Sequence, residues 1–219
     1  MFDVRFKVPS SFILAGATMT GKTMWTMNFL RQLENLVECP GCAANVVYFY
    51  KDWQPSFESF SKEGIVREWV NRLPTSEDIL EQTEGFHETG SVIVIDDFQQ
   101  KLNKDTIEIF TSLAHRTNSI VILLVQNIFC GNRVFREMSL NATYIVLFRN
   151  PRDGSQINCF AKQIAPGNVK WLVNKFHEVT KLPHSYMLFD CHQKTPHKLK
   201  FRSRVLPHEF PIQVHASDE

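Results

Sequence analysis

The stretch Gly16-Ala17-Thr18-Met19-Thr20-Gly21-Lys22-Thr23 carries the clearest chemistry in the chain. It fits G-x-x-x-x-G-K-[ST], the phosphate-binding P-loop. Each residue type has a reason to be there. Gly16 and Gly21 let the backbone turn tightly and bring its N–H groups close to phosphates. Ala17, Thr18, Met19 and Thr20 supply the backbone between them. Lys22 reaches β- and γ-phosphates, and the Thr23 hydroxyl can ligate Mg²⁺. A helix starting at this point adds partial positive charge at its N-terminus.

A second chemical signal lies downstream. Val92-Ile93-Val94-Ile95 runs straight into Asp96-Asp97. Four apolar residues ending in two carboxylates read as a buried parallel strand with acids at its C-terminal end, the end where open α/β sheets bind ligands. Asp96 fits the acid that holds Mg²⁺, and Asp97 the group that orients and polarises an attacking water. A third polar site, Gln126-Asn127, closes the apolar run Ile120–Val125. A strand inserted between the P-loop strand and the acidic strand would end beside the γ-phosphate. There Gln126 could sense that phosphate or position the water; satisfying loop backbone is the equal alternative.

These residues need elements to hold them. Phe12-Ile13-Leu14-Ala15 reads as a buried strand before the P-loop. Phe29, Leu30, Leu33, Leu36 and Val37 recur at helical spacing after it, in a helix ending near Glu38 ahead of Pro40-Gly41. Val46–Tyr50 is a β-branched and aromatic strand. Phe57 and Phe60, then Val66, Trp69, Val70 and Leu73, have helical spacing. Pro74–Asp78 is a turn into another short helix. Asp105-Thr106-Ile107-Glu108 resembles a capping box for a helix with Ile107, Phe110, Thr111 and Ala114 on one face. Tyr144–Phe148 is a further strand, followed by two helices split at Pro166-Gly167 and a strand at Tyr186–Asp190. Leu199–Val205 alternates, with Lys200, Arg202 and Arg204 on one side, read chiefly as a charged edge.

One strand between the P-loop helix and the acidic strand, and one polar-ended strand after it, suit a RecA-like arrangement. The expected fold is α/β, a RecA-like P-loop NTPase of the ASCE type. Its central sheet should be mostly parallel, of order 5-1-4-3-2, flanked by helices and extended by extra C-terminal strands. Residues 1–206 form a single ATPase domain, and 207–219 a flexible tail. A GTPase would need a guanine-reading N-K-x-D, which the sequence lacks.

Composition narrows the class. The chain has 219 residues, 43% hydrophobic and 21% charged, enough for one α/β domain with a sizeable core. A net charge of +1 argues against a general nucleic-acid sponge while leaving room for a local basic groove. No apolar run is long enough to span a bilayer, and the N-terminus lacks the apolar core of a signal peptide, so a soluble intracellular setting is expected. Five cysteines, an odd number, suit a reducing compartment. Cys39-Pro40-Gly41-Cys42 has the form of a zinc knuckle but lacks a matching second pair. Cys130, Cys159 and Cys191-His192 are scattered, so a turn with buried thiols is the reading.

Gly16 to Thr23, Val47-Tyr48-Phe49-Tyr50 with Trp53-Gln54-Pro55, and Ile95-Asp96-Asp97 resemble viral genome-packaging ATPases of the FtsK/HerA superfamily. The similarity is closest to those of Polinton (Maverick) elements and adintoviruses, and looser to poxvirus-type packaging ATPases. Gln126-Asn127, Ser139–Ala142, Leu147–Asp153 and Ser155-Gln156-Ile157 carry it onward. The resemblance implies a homo-oligomeric ring, pentameric or hexameric. With ATP and Mg²⁺ it would drive double-stranded DNA into a preformed capsid through a capsid-vertex or portal-like partner. It would work in the host nucleus or a cytoplasmic virus factory, or be carried in the virion. It also implies an arginine supplied by a neighbouring subunit. Arg133, Arg136, Arg149 and Arg152 are available, with Arg136 and Arg149 best placed before and after the last core strand. Lys101 and Lys104 could touch DNA phosphates or simply be solvated. Two other readings compete: a RecA-like helicase or DNA pump unconnected with packaging, and a nucleotide-binding virion-assembly protein without turnover.

Overall fold

The computed structural model describes residues 3–128, 133–152, 154–209 and 211–217. In chain order, β1 (Ser10–Ala15) leads through the P-loop into α1 (Lys22–Arg31) and the short α2 (Leu33–Leu36). Then follow β2 (Val46–Tyr50), α3 (Pro55–Lys62), β3 (Glu68–Val70), α4 (Ser76–Thr83) and β4 (Ser91–Asp96). α5 (Lys104–Glu108) continues through a π turn (Ile109–Leu113) into α6 (Ala114–Arg116). After it come β5 (Ser119–Val125), α7 (Arg133–Asn141), β6 (Tyr144–Phe148), α8 (Ser155–Ile164), α9 (Val169–Val179), β7 (Tyr186–Asp190), β8 (Phe201–Ser203) and β9 (Gln213–His215).

The described strands form one sheet in the order β3-β2-β4-β5-β1-β6-β7-β8-β9. Counted as core strands, β6-β1-β5-β4-β2 is the expected 5-1-4-3-2, and all of those pairings are parallel. This is a RecA-like α/β fold. β7, β8 and β9 extend it with antiparallel pairings.

Strand periodicity explains the layers. Core strands are buried on both faces, so successive side chains feed two separate cores. Ile13, Val47, Phe49, Ile93, Ile95, Leu123 and Leu147 pack with Ile109, Phe110, Phe135, Phe160 and Leu172 on one face. Phe12, Leu14, Val46, Tyr48, Val92, Val94 and Ile122 pack with Trp25, Phe29, Leu30, Phe57 and Phe60 on the other. The P-loop helix therefore lies on the second face. Phe12, Trp25, Phe29 and Tyr144 make its aromatic centre, with Trp25 stacked on Phe29 at 5.2 Å.

Several elements depart from expectation. Residues 66–73 hold the short edge strand β3 (Glu68–Val70) rather than a helix. The span lies between Gly64, at φ 67°, and Pro74, and is too short for a stable helix. Pairing Glu68–Val70 with Val47–Phe49 satisfies β2's outer edge. The helix after the P-loop breaks at Gln32 (φ −116°), earlier than Glu38. The capping box before α5 uses Asn103, whose Oδ1 accepts the Thr106 N–H at 3.0 Å. Asp105 sits inside the first turn. The π turn then rotates the apolar face, burying Ile109, Leu113 and Ala114 with Phe110 while Ile107 and Thr111 are only half-buried.

Arg202 does not lie on a charged edge. It is buried and donates to Asp190 Oδ2 at 2.5 Å and to the Val4 carbonyl at 2.9 Å. Residues after Pro207 are not merely a tail, because Gln213–His215 pairs with β8. Among the described residues no helix is long and apolar enough to cross a membrane. Cys42 is buried, with its thiol pushed up to about 12 by desolvation, and the Cys39 thiol donates to the Thr89 carbonyl at 3.2 Å. No described cluster of three or more His, Cys, Asp or Glu could hold a metal ion. Cys130 lies outside the described residues.

Candidate functional site

β5 pairs with β1 on one side and β4 on the other, so three strand ends meet: Ala15, Asp96 and Val125. The P-loop leaves the first, the acid pair the second and Gln126 the third. The topology thus brings together residues about a hundred positions apart in sequence.

The P-loop itself is tightly wound. Thr20 Oγ1 donates to the Ala17 carbonyl at 2.8 Å, and Met19 (φ 66°) and Gly21 (φ 105°) both adopt left-handed backbone. A Cβ on Gly16 would stand 2.7 Å from both Phe148 Cβ and Thr20 Oγ1, so the close approach requires glycine. α1 begins at Lys22, directly after the left-handed Gly21, with no side-chain cap on its first amides. Lys22 Nζ donates to the carbonyls of Gly16 (2.6 Å) and Ala17 (2.9 Å). Burial lowers its pKa, and the charges of Asp96 and Asp97 oppose that shift.

A cleft of about 330 Å³ is lined by Thr18, Met19, Gly21, Lys22 and Thr23 together with Asp96, Asp97 and Gln126. Asp96 is buried, and desolvation raises its carboxyl to about 6. The hydrogen bond from Tyr48 and the charge of Lys22 pull it down, and the neighbouring Asp97 pushes it up. Tyr48, fully buried in β2, donates its hydroxyl to Asp96 Oδ2 at 2.8 Å. Asp97 takes left-handed backbone (φ 63°), which aspartate tolerates better than most residues. Its Oδ1 accepts from Gln126 Nε2 at 3.0 Å, so the Gln126 amide bonds an acid of the site rather than loop backbone.

Tyr48 and Gln99 were not legible as site residues. Gln99 Oε1 accepts the N–H groups of Gln126 (2.8 Å) and Asn127 (3.3 Å), and its Nε2 donates to the Asn127 carbonyl at 2.7 Å. It clamps the loop that carries Gln126. Period-two alternation places Tyr48 on the same sheet face as Asp96, but an apolar aromatic strand gives no sign that its hydroxyl is used. His184 also lines the cleft: a Cβ on Gly21 would lie 3.2 Å from its Nδ1.

The donor set fits a magnesium nucleotide. Thr23 and Asp96 are oxygen donors lining one cleft beside a lysine, and Mg²⁺ commonly takes one or two protein oxygens plus substrate phosphates and water. Of the arginines, Arg149 borders a groove beside the chain's own P-loop. Arg136 and Arg133 are exposed on α7, and neither is among the residues that line the cleft. The Arg152 N–H donates to Asn150 Oδ1 at 3.1 Å in the turn after β6, while Asp153 lies outside the described residues. Lys101 lines a second cavity, of about 460 Å³, with Lys51, Asp97, Gln99 and Gln126. Lys104 is exposed at the start of α5.

No protein-family model matches the chain, and no curated protein does. Among solved structures it is similar to a KaiC-like protein from the hyperthermophilic archaeon Pyrococcus horikoshii, at 14% identity and a TM-score of 0.45, over 95% of this chain and 91% of that one.

Proposed function

We propose that the chain hydrolyses ATP with Mg²⁺ and uses the energy to move double-stranded viral DNA into a preformed capsid. The observation that carries hydrolysis is the convergence of Lys22, Thr23, Asp96, Asp97 and Gln126 on one cleft. A site for binding alone needs the loop and its lysine. The Gln126–Asp97 pair adds a polar device at the position where a water must be oriented. Lys22 is the cation for the β- and γ-phosphates. Thr23 and Asp96 would hold the metal, with Tyr48 fixing the Asp96 carboxylate. Bound Mg²⁺ supplies charge neutralisation across the phosphates. Water oriented by Asp97 attacks the γ-phosphorus as the bond to the bridging oxygen breaks; ADP leaves with that oxygen, and the water's proton passes to the phosphate product and on to solvent.

The packaging role rests on the resemblance of the P-loop, the acid pair and the Leu147–Asp153 stretch to packaging ATPases. In a ring, Arg136 suits a site in the neighbouring subunit, because it is exposed and does not line its own cleft. Arg149 borders its own P-loop groove and suits a role within the subunit. The test is ATP turnover against protein concentration, with duplex DNA, single strands or neither. Turnover should rise with assembly and with duplex DNA. Stimulation by single strands alone would favour a helicase, and tight ATP binding without turnover in any condition would favour an assembly protein.

A further inference from the structure

Phosphates in the P-loop leave the base and ribose of a nucleotide to be seated elsewhere. A groove of about 450 Å³ lies against the P-loop, between it and the loop that enters β7. It shares Met19 and His184 with the P-loop cleft, so the two adjoin. We propose that this groove seats the base and ribose of the bound nucleoside triphosphate, a reading that rests on the nucleotide site proposed above.

Three observations point to this occupant. Met19 and Leu182, at 89% and 71% exposure, are the most exposed large apolar side chains among the described residues, and both line this one groove. Exposed apolar surface at a concave site beside a phosphate loop suits a flat, weakly polar ring, and the volume lies within the roughly 300–1,000 Å³ of small-molecule sites. Secondly, both sides of the junction are held in unusual backbone. Met19 (φ 66°) and His184 (φ 62°) are left-handed without being glycine. Such conformations tend to cluster at ligand clamps. Thirdly, Arg149 and Lys181 add cationic groups to the lining, which complement a ligand that carries anionic phosphates. The cavity lined by Lys51, Gln99, Gln100 and Lys101 is built mainly from polar side chains and offers a base less apolar surface.

The test compares binding of Mg²⁺-ATP and of Mg²⁺-tripolyphosphate by calorimetry. Leu182 is exposed, so replacing it leaves the core intact. Leu182→Ser should weaken ATP about tenfold while leaving tripolyphosphate unchanged, and Leu182→Met should restore most of the ATP affinity. Equal ATP affinity in Leu182→Ser and wild type, with both ligands lost in Lys22→Ala, would overturn the base seat and leave the nucleotide site standing. Binding of neither ligand to the wild-type protein would overturn both.

Discussion

At the residue scale, the site is a balance of burial against charge around Asp96. Desolvation lifts its carboxyl to about 6, and the Tyr48 hydroxyl restrains that rise. A carboxylate that holds Mg²⁺, the role proposed for Asp96, must be ionised, so Mg²⁺-dependent turnover should fall as pH drops through about 6. Tyr48→Phe removes a donor to the charged form and raises the carboxyl further. Its acid limb should move to higher pH than that of the wild type, and superimposable pH–rate profiles would rule out the role given to Tyr48. Stability runs the opposite way. A carboxyl whose pKa is higher folded than unfolded contributes stability that is complete below about 3.8 and is lost as pH rises through about 6. At pH 7 the buried charge is therefore a cost. Asp96→Asn should stabilise the fold at that pH by up to about 3 kcal/mol, read as a higher Tm, while abolishing turnover. That Lys22, Thr23, Asp96 and Asp97 would share one cleft was legible because their types and spacing are tied to chemistry. Tyr48 and Gln99 were not, since each acts through another residue and nothing local marks it.

At the element scale, the core strands announce themselves as apolar runs, and their order followed from where the polar ends had to meet. Among the departures is β3, whose spacing in sequence suits a helix but whose hydrogen bonds are needed by the edge of β2. Arg202 was misread for a related reason. Alternation placed it on a charged face, while β8 in fact buries it against Asp190. Asp190 also accepts from the His192 N–H and the Thr195 hydroxyl, each at 3.0 Å. Arg202→Met would strand a buried carboxylate and should cost about 3–5 kcal/mol in chemical denaturation. Loss of less than about 1 kcal/mol would show the pair to be dispensable. Gly90 tests a turn instead. It sits at φ 81°, and an added Cβ would stand 2.7 Å from the Asn118 carbonyl oxygen. Gly90→Ala should destabilise by about 1–3 kcal/mol with unchanged turnover per folded molecule. Unchanged stability would mean that the β4 and β5 entry turns can separate freely.

At the scale of the whole molecule, the sheet order does the work of assembly. Inserting β5 between β1 and β4 sets Gln126 between the phosphate loop and the acid pair. The antiparallel β7–β9 extension adds the loop that carries Leu182 and His184 to the other side of the P-loop. The P-loop cleft thus lies at the ends of the parallel core strands, and the adjoining groove lies where that core meets its C-terminal extension. Sequence revealed the core because chemistry fixes its residues. The C-terminal strands were legible too, as Tyr186–Asp190 and the alternating run after it; the loop that carries Leu182 and His184 was not, because a short loop with one exposed leucine has no motif. The central claim, that this cleft hydrolyses ATP, is tested most directly by steady-state phosphate release from wild-type and Lys22→Ala protein at matched concentrations, with Mg²⁺-ATP and duplex DNA. The account predicts DNA-stimulated release by the wild type and a fall to background in Lys22→Ala, whose circular dichroism should be unchanged. Equal turnover by the two proteins would contradict it.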